Sequence, residues 1–317
     1  MVPLDLSARL KQGVRHILGR PAHPPPPANR RKQHQWSIGI YAGDSPVSLS
    51  PPDGLQNPVL TNKDVSDLSA QFVADPFMLR VGATWYMFFE VMNRRGWKGE
   101  IALATSTNGF QWSYQKSVLA EAFHLSYPYV FPWRGEYYML PECQAAGAVR
   151  LYRAAEFPTR WVQVADLLTG PYYADSSIAC FAEKWWMFSE TSSPLANDTL
   201  RLYYADELAG PWREHPNSPI IRGNPQIARP AGRVLAVGDH LVRYAQDCSE
   251  KYGTQVRAFE ISEITDTVYR ESPLSGSPVL GPSGEGWNSC GMHHVDPHQL
   301  SDGRWLACVD GWIEAEY

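Results

Sequence analysis

FVADPFMLRVGATWYMFFE, residues 72–90, is the stretch from which the fold can be read. Asp75 stands at the start of one apolar run and Glu90 closes the next. Relatives of the stretch return along the chain. LSYPYVFPWRGEYYMLPE places Tyr127 and Glu142 at the two marked positions, and YADSSIACFAEKWWMFSE places Asp175 and Glu190 there. All three copies keep 15 residues between the marks. Two looser copies follow: QIARPAGRVLAVGDHLVRYAQ with Arg229 and Gln246, and HHVDPHQLSDGRWLACVD with Asp296 and Asp310. First positions fall 52, 48, 54 and 67 residues apart, the period of a propeller blade with variable loops.

An offset of 15 residues fits a hairpin: about six residues of strand, a tight turn at Val81-Gly82, Arg134-Gly135 or Glu183-Lys184, and about six residues back. Both marked positions then lie near one end of the hairpin. Each copy adds a third alternating run, GEIALATS, AVRLYRA, LRLYYAD or QVRAFEI, and Trp112, Trp161 and Trp212 close three of the units. The fifth copy lacks its third run, while WSIGIYAG at 36–43 has the missing pattern. The expectation is an all-β, five-bladed propeller over residues 36–317, in which an N-terminal strand completes the last blade and leaves no open sheet edge. The alternative is an unrelated strand in an open sandwich.

Composition agrees with a single large β domain. The 317 residues are 44% hydrophobic and include 12 Trp and 16 Tyr, side chains that pack well on alternating strands. No apolar run is long enough to cross a membrane as a helix. Five cysteines, Cys143, Cys180, Cys248, Cys290 and Cys308, show neither a pairing pattern nor metal-site spacing, which fits reduced thiols. Residues 1–20 alternate basic and apolar residues without a continuous apolar region, so a cytoplasmic location without a secretory leader is expected. Seven basic residues and one acid in residues 1–35 leave 21 basic against 32 acidic residues beyond them. So acidic a ring is a poor partner for nucleic acid and is compatible with neutral or cationic sugars.

The tail, residues 1–35, reads as a short amphipathic helix through Leu6, Leu10, Val14 and Ile17, followed by a stiff spacer at PPPP, 24–27. It is the expected place for a peripheral membrane or protein contact, the alternative being a plain tail. Residues 44–71 read as an irregular connection. Residues 272–291, SPLSGSPVLGPSGEGWNSCG, form the longest loop and are expected to overhang the central cavity.

First strands of successive blades line a propeller's channel, so Asp75, Tyr127, Asp175, Arg229 and Asp296 should converge on one opening. Glu90, Glu142 and Glu190 join them from the hairpin ends, with His124, His293 and His294 alongside. Several acids around one cavity can differ strongly in pKa, and a protonated acid facing an ionised one is what glycosidic cleavage needs. Each Asp could instead cap a local turn, and each Glu could pair with a third-strand arginine such as Arg150 or Arg201. His293 and His294 are neighbours on a strand and point to opposite faces, so only one reaches the cavity. That leaves too few ligands for a metal, and no cofactor is expected.

ADPF at 74–77 followed by WYMFFE, HLSYPYVF at 124–131, ADSSI at 174–178 and HHVDPH at 293–298 together resemble the N-terminal domain of glucosamine inositolphosphorylceramide transferases. More distantly, the ADP of blade 1 is similar to the five-bladed propellers of glycoside hydrolase family 43. The resemblance implies a carbohydrate-active protein acting on a cell-surface or lipid-linked glycan, with Asp75 as base or nucleophile and Asp175 as an acid that tunes or orients. Family 43 enzymes carry their acid glutamate where this chain has Arg229, so Glu142 or Glu190 would have to donate the proton. His124, Tyr127, Arg229, His294 and Asp296 would hold the sugar. In the plant transferases the sugar-transfer chemistry belongs to a separate C-terminal domain, which implies a second reading: a non-catalytic glycan-binding or scaffolding domain.

Overall fold

The computed structural model describes residues 32–192 and 196–316, and the tail helix and Pro-rich spacer lie outside them. The described residues form a five-bladed β-propeller. Blade 1 comprises Ala70–Val81, Thr84–Asn93, Lys98–Ser106 and Ser113–Leu119. Blade 2 is Ser126–Trp133, Glu136–Glu142, Ala148–Glu156 and Arg160–Thr169. Blade 3 is Ala174–Phe181, Lys184–Glu190, Leu200–Ala205 and Arg213–Glu214, and blade 4 is Leu235–Val237, His240–Asp247, Gln255–Ile264 and Tyr269–Pro273. Blade 5 joins the two ends of the chain: Val295–Gln299 and Trp305–Glu316 pair onward to Lys32–Ser45 and then to Ser48–Ser50.

The closing strand runs antiparallel to Trp305–Glu316 without a break in register, from Lys32↔Glu316 to Gly43↔Trp305. It does more than cover an edge. Ile38 and Ile40 are fully buried, and Trp36 stacks on His293 with ring centroids 3.9 Å apart. The stretch expected to be an irregular connection supplies Ser48–Ser50, the outer strand of blade 5.

Apolar side chains fill the spaces between adjoining sheets. Met78, Met87, Phe89 and Ile38 lie between blades 1 and 5, and Tyr41, Val242, Tyr244 and Val309 between blades 4 and 5. Edge-to-face pairs such as Phe88 on Trp161 and Trp133 on Trp185 tie blades 1 to 2 and 2 to 3, a geometry that adds about 0.5–1.5 kcal/mol each beyond buried area. The recurring Trp closes a turn: the indole N–H of Trp112, Trp161 and Trp212 donates to the carbonyls of Gly109, Pro158 and Leu208. The long loop packs against the third strand of blade 4 and against blade 5. Trp287 lies against Gly39 and Asn288 against Gly311 on blade 5, positions where a Cβ would clash, and Leu274, Val279 and Leu280 bond to the third strand of blade 4.

Candidate functional site

The 15-residue spacing appears as direct cross-strand pairing, Ala74↔Glu90, Ser126↔Glu142 and Ala174↔Glu190. Immediately after each first partner the inner strand bulges, and Asp75, Tyr127 and Asp175 take the left-handed backbone, with φ of 53°, 47° and 47°. Such a bulge re-aims a side chain and leaves its backbone N–H without a ladder partner. Here each N–H finds an acid from the preceding blade. Asp310 Oδ2 accepts from Asp75 N at 3.0 Å, Asp75 Oδ2 from Tyr127 N at 3.2 Å, and Glu142 Oε2 from Asp175 N at 3.3 Å. The acids do cap backbone, but across blades rather than within a local turn.

The result is a set of buried acids at one end of the channel. Asp175 Oδ2 accepts from Arg229 Nε at 2.6 Å and Gln246 Nε2 at 2.7 Å. Arg229 also reaches Asn197 Oδ1 at 2.8 Å and Glu142 Oε2 at 3.4 Å, and lies 5.2 Å from the ring centre of Tyr252, which is 37% exposed. On the other side, His293 Nδ1 is 2.8 Å from Asp310 Oδ1 and its Nε2 is 3.7 Å from Asp75 Oδ1.

These contacts drive the acids apart. Burial pushes the Asp75 carboxyl up to about 7, with His293 pulling it down and Asp175 and Asp310 pushing it up. Burial, and then the charge of Asp175, hold Glu142 well above the usual carboxylate range. Burial would raise Asp175 too, but Arg229 and its hydrogen bonds bring it below its ordinary value. Asp310 is likewise lowered, because His293 outweighs burial, and His293 is raised in turn, chiefly by Asp310.

Asp75, Glu142, Asp175 and Arg229 therefore meet, as the sequence suggests. Other expected residues do not join them. Tyr127 contributes only its backbone N–H: its buried hydroxyl bonds Ser177 and Gly232 inside the core. His294 is a correction, since His293 is the member of the pair that faces the acids. His294 is fully buried, edge-on to Phe77 and Tyr127, with neither ring nitrogen bonded among the described residues. Asp296 is neutralised elsewhere, by Arg233 Nε at 2.6 Å and the backbone N–H of Met78 at 2.7 Å. Glu190 turns toward Ser192, whose N–H donates to it at 2.7 Å. His124 stands at the rim, its Nδ1 accepting from Gly99 N at 2.8 Å and its Nε2 3.5 Å from Glu90.

The glutamates do not pair with third-strand arginines, because apolar residues lie opposite them: Ile101 faces Glu90 and Leu200 faces Glu190. Arg150 pairs with Asp166 and Arg201 with Glu214. Asp310 and Gln246, at second positions of the repeat, are site residues that the sequence reading did not place at the opening, and Glu90 and His293, which it placed there, were given no role. Asp75, His293 and Asp310 present ligand atoms within 4.8 Å of one another. Asp310 and Asp75 raise His293 against the lowering effect of burial, so a metal there would have to displace a proton from its imidazole. A separate cavity of about 330 Å³, lined by Trp133, Tyr138, Leu151 and Leu208, lies between blades 2 and 3 and includes none of these acids.

The family described as glucosamine inositolphosphorylceramide transferase 1, N-terminal, matches residues 29–312. Glucosamine inositolphosphorylceramide transferase 1 of Oryza sativa subsp. japonica is 35% identical over 296 residues, covering 87% of this chain and 40% of that protein. The Arabidopsis thaliana protein of the same name is 35% identical over 87% of this chain and 39% of its own length. The chain thus spans about two fifths of these curated relatives. Among solved structures, the catalytic domain of Coprinopsis cinerea GH62 α-L-arabinofuranosidase superposes with a TM-score of 0.58 at 12% identity, over 89% of this chain and 98% of that one. A Cellvibrio cellulosa α-L-arabinanase complexed with arabinohexaose gives 0.51 at 17% identity, over 77% and 91%. At these identities the likeness is one of fold.

Proposed function

The chain belongs to the glucosamine inositolphosphorylceramide transferase family, through that family's N-terminal domain, and from this premise we propose that it is a carbohydrate-active propeller whose Asp75 pocket takes a cell-surface or lipid-linked glycan. The chemistry is of glycoside-hydrolase type. One observation carries the reading: the buried acids are driven apart, with Glu142 held well above the usual carboxylate range, Asp75 raised to about 7 so that it exchanges its proton near neutrality, and Asp175 kept low by Arg229. Pairs of carboxyls whose surroundings push their pKa values apart are how general acid and base are assigned.

In this reading Glu142 gives its proton to the glycosidic oxygen as the bond to the anomeric carbon breaks. Asp75, once ionised, takes the proton of the water that attacks that carbon, or attacks it directly. Asp175 and Arg229 orient sugar hydroxyls through charge-assisted hydrogen bonds. Of the two donors considered from sequence, Glu142 is the one beside Asp175; Glu190 is committed to Ser192.

A second reading, glycan binding without turnover, is favoured by Arg229, which lies against both Asp175 and Glu142 and competes for the donor. Asp75→Asn separates the two. A catalytic Asp75 predicts an intact fold, retained sugar affinity and turnover reduced by orders of magnitude on a panel of aryl glycosides and oligosaccharides. A binding pocket predicts no turnover in either protein and weaker affinity in the variant. Absence of both turnover and binding in the unmutated protein overturns the proposal.

A further inference from the structure

Glu90 is used by neither reading above, yet it is among the least expected groups in the molecule. Its side chain is 6% exposed, it faces Ile101 across the strand pair, and its Oε1 has no hydrogen-bond partner among the described residues. An unsatisfied buried carboxyl costs stability unless something binds it. His124 Nε2 lies 3.5 Å from it, on a ring that is 37% exposed. Because Gly99 N–H donates to His124 Nδ1, the ring's proton sits on Nε2, so this corner presents a donor and an acceptor side by side.

Gly99 makes the corner. A Cβ there would lie 2.1 Å from Leu125 O, 2.8 Å from Glu90 Oε1 and 2.9 Å from His124 Cε1. The turn that leads into Gly99 carries Trp97, which is 63% exposed with φ of 51°. Two residues of chain span at most about 7 Å, so the Trp97 backbone stands close to this corner. This turn joins the second and third strands of blade 1, at the same end as Asp75.

We propose that Glu90, His124 and Trp97 form an extension subsite that takes sugar units adjoining the one in the Asp75 pocket, so that the domain recognises an oligosaccharide rather than a single sugar. A hydroxyl of the adjoining unit bridges Glu90 Oε1 and His124 Nε2 from the open side, and the unit beyond lies on the Trp97 face, amphipathic surface against amphipathic surface. Glu90 is also held well above the usual carboxylate range, first by burial and then by Asp75, Glu142, Asp175 and Asp310, so it can donate as well as accept.

The inference rests on the proposed glycan pocket, and its test keeps the two apart. Affinities are measured on the full chain, by calorimetry, for arabinohexaose and for glucosamine oligomers of one to four units. Trp97→Ala is expected to leave single-sugar affinity within twofold and to weaken binding of three or more units at least tenfold. Glu90→Gln is expected to weaken two units and longer. Trp97 is exposed, so its removal leaves folding intact, and melting temperature checks this for both variants. Equal losses at every length, or no loss on long oligomers, overturn the subsite while leaving the pocket standing. Failure of every probe to bind the unmutated protein overturns the pocket and the subsite together.

Discussion

The channel holds two buried charge clusters, and they are built differently. The one around Asp296 closes on itself. Arg233 donates to both Asp296 oxygens and to the carbonyl of Val130, while Asp296 also accepts from Met78 N and lies 2.9 Å from His298 Nε2. Burial would raise Asp296, but Arg233 drives it far below its ordinary value. The cluster around Asp75 instead gathers Asp75, Glu90, Glu142, Asp175 and Asp310 against Arg229 and His293, and burial raises Asp75, Glu90 and Glu142 above the ordinary carboxylate range. A balanced buried pair holds blades together. An unbalanced one stores protons and an unmet hydrogen bond, which is what a ligand or a reaction can use.

The sharpest way to break this contrast is Arg233→Met, which strands Asp296 without its counter-charge. The expected loss is about 3–5 kcal/mol in denaturant unfolding, with glycan affinity unchanged in protein that remains folded.

The second effect is on pH. An acid whose folded pKa is raised binds more protons in the native state than when unfolded, so stability falls as pH rises through the window between the two values. For Asp75 that window runs from its ordinary 3.8 to about 7. Glu90, Glu142 and Glu190, also raised, act in the same direction, and His293, raised above 6.5, adds stability that is lost as pH rises through its folded value. Melting temperature should therefore decline from pH 5 to pH 8, with Asp75 alone contributing about 2 kcal/mol between pH 5 and 7. Asp75→Asn should flatten the profile, and Arg233 and Asp296 should contribute no slope there.

Arg229→Met should cost less than the Arg233 change, about 2 kcal/mol, because the acids it leaves behind can take up protons instead of staying buried and charged. The smallest effect belongs to Tyr127→Phe, about 1 kcal/mol from lost bonds to Ser177 and Gly232, with no change in glycan affinity because the hydroxyl lies in the core.

The propeller was legible because its repeat is written in apolar alternation and a constant hairpin offset, which period-2 geometry enforces. Outer strands as short as Ser48–Ser50 and Arg213–Glu214 were not, since exposed edge strands carry little apolar pattern. Within the site, Asp75, Asp175, Glu142 and Arg229 could be read from their repeat positions. The choice between His293 and His294 could not, because one residue of register reverses the face and register is set by long-range pairing. Tyr127 was misread for a related reason: the shared bulge fixes its backbone as it does that of Asp75, but a large ring finds room only in the core. For Glu90, pairing with a third-strand arginine stayed open because the sequence does not show that Ile101 lies opposite.

The difference between the clusters can be measured without any ligand, by following carboxyl carbon shifts of ¹³C-labelled protein during an NMR titration, with Asp75→Asn and Asp296→Asn for assignment. The account predicts an Asp75 midpoint near 7 and an Asp296 that stays ionised throughout the titratable range above pH 3. An Asp75 that titrates near 4 like a surface carboxyl, or an Asp296 that titrates beside it, would contradict the claim that one cluster is poised and the other closed.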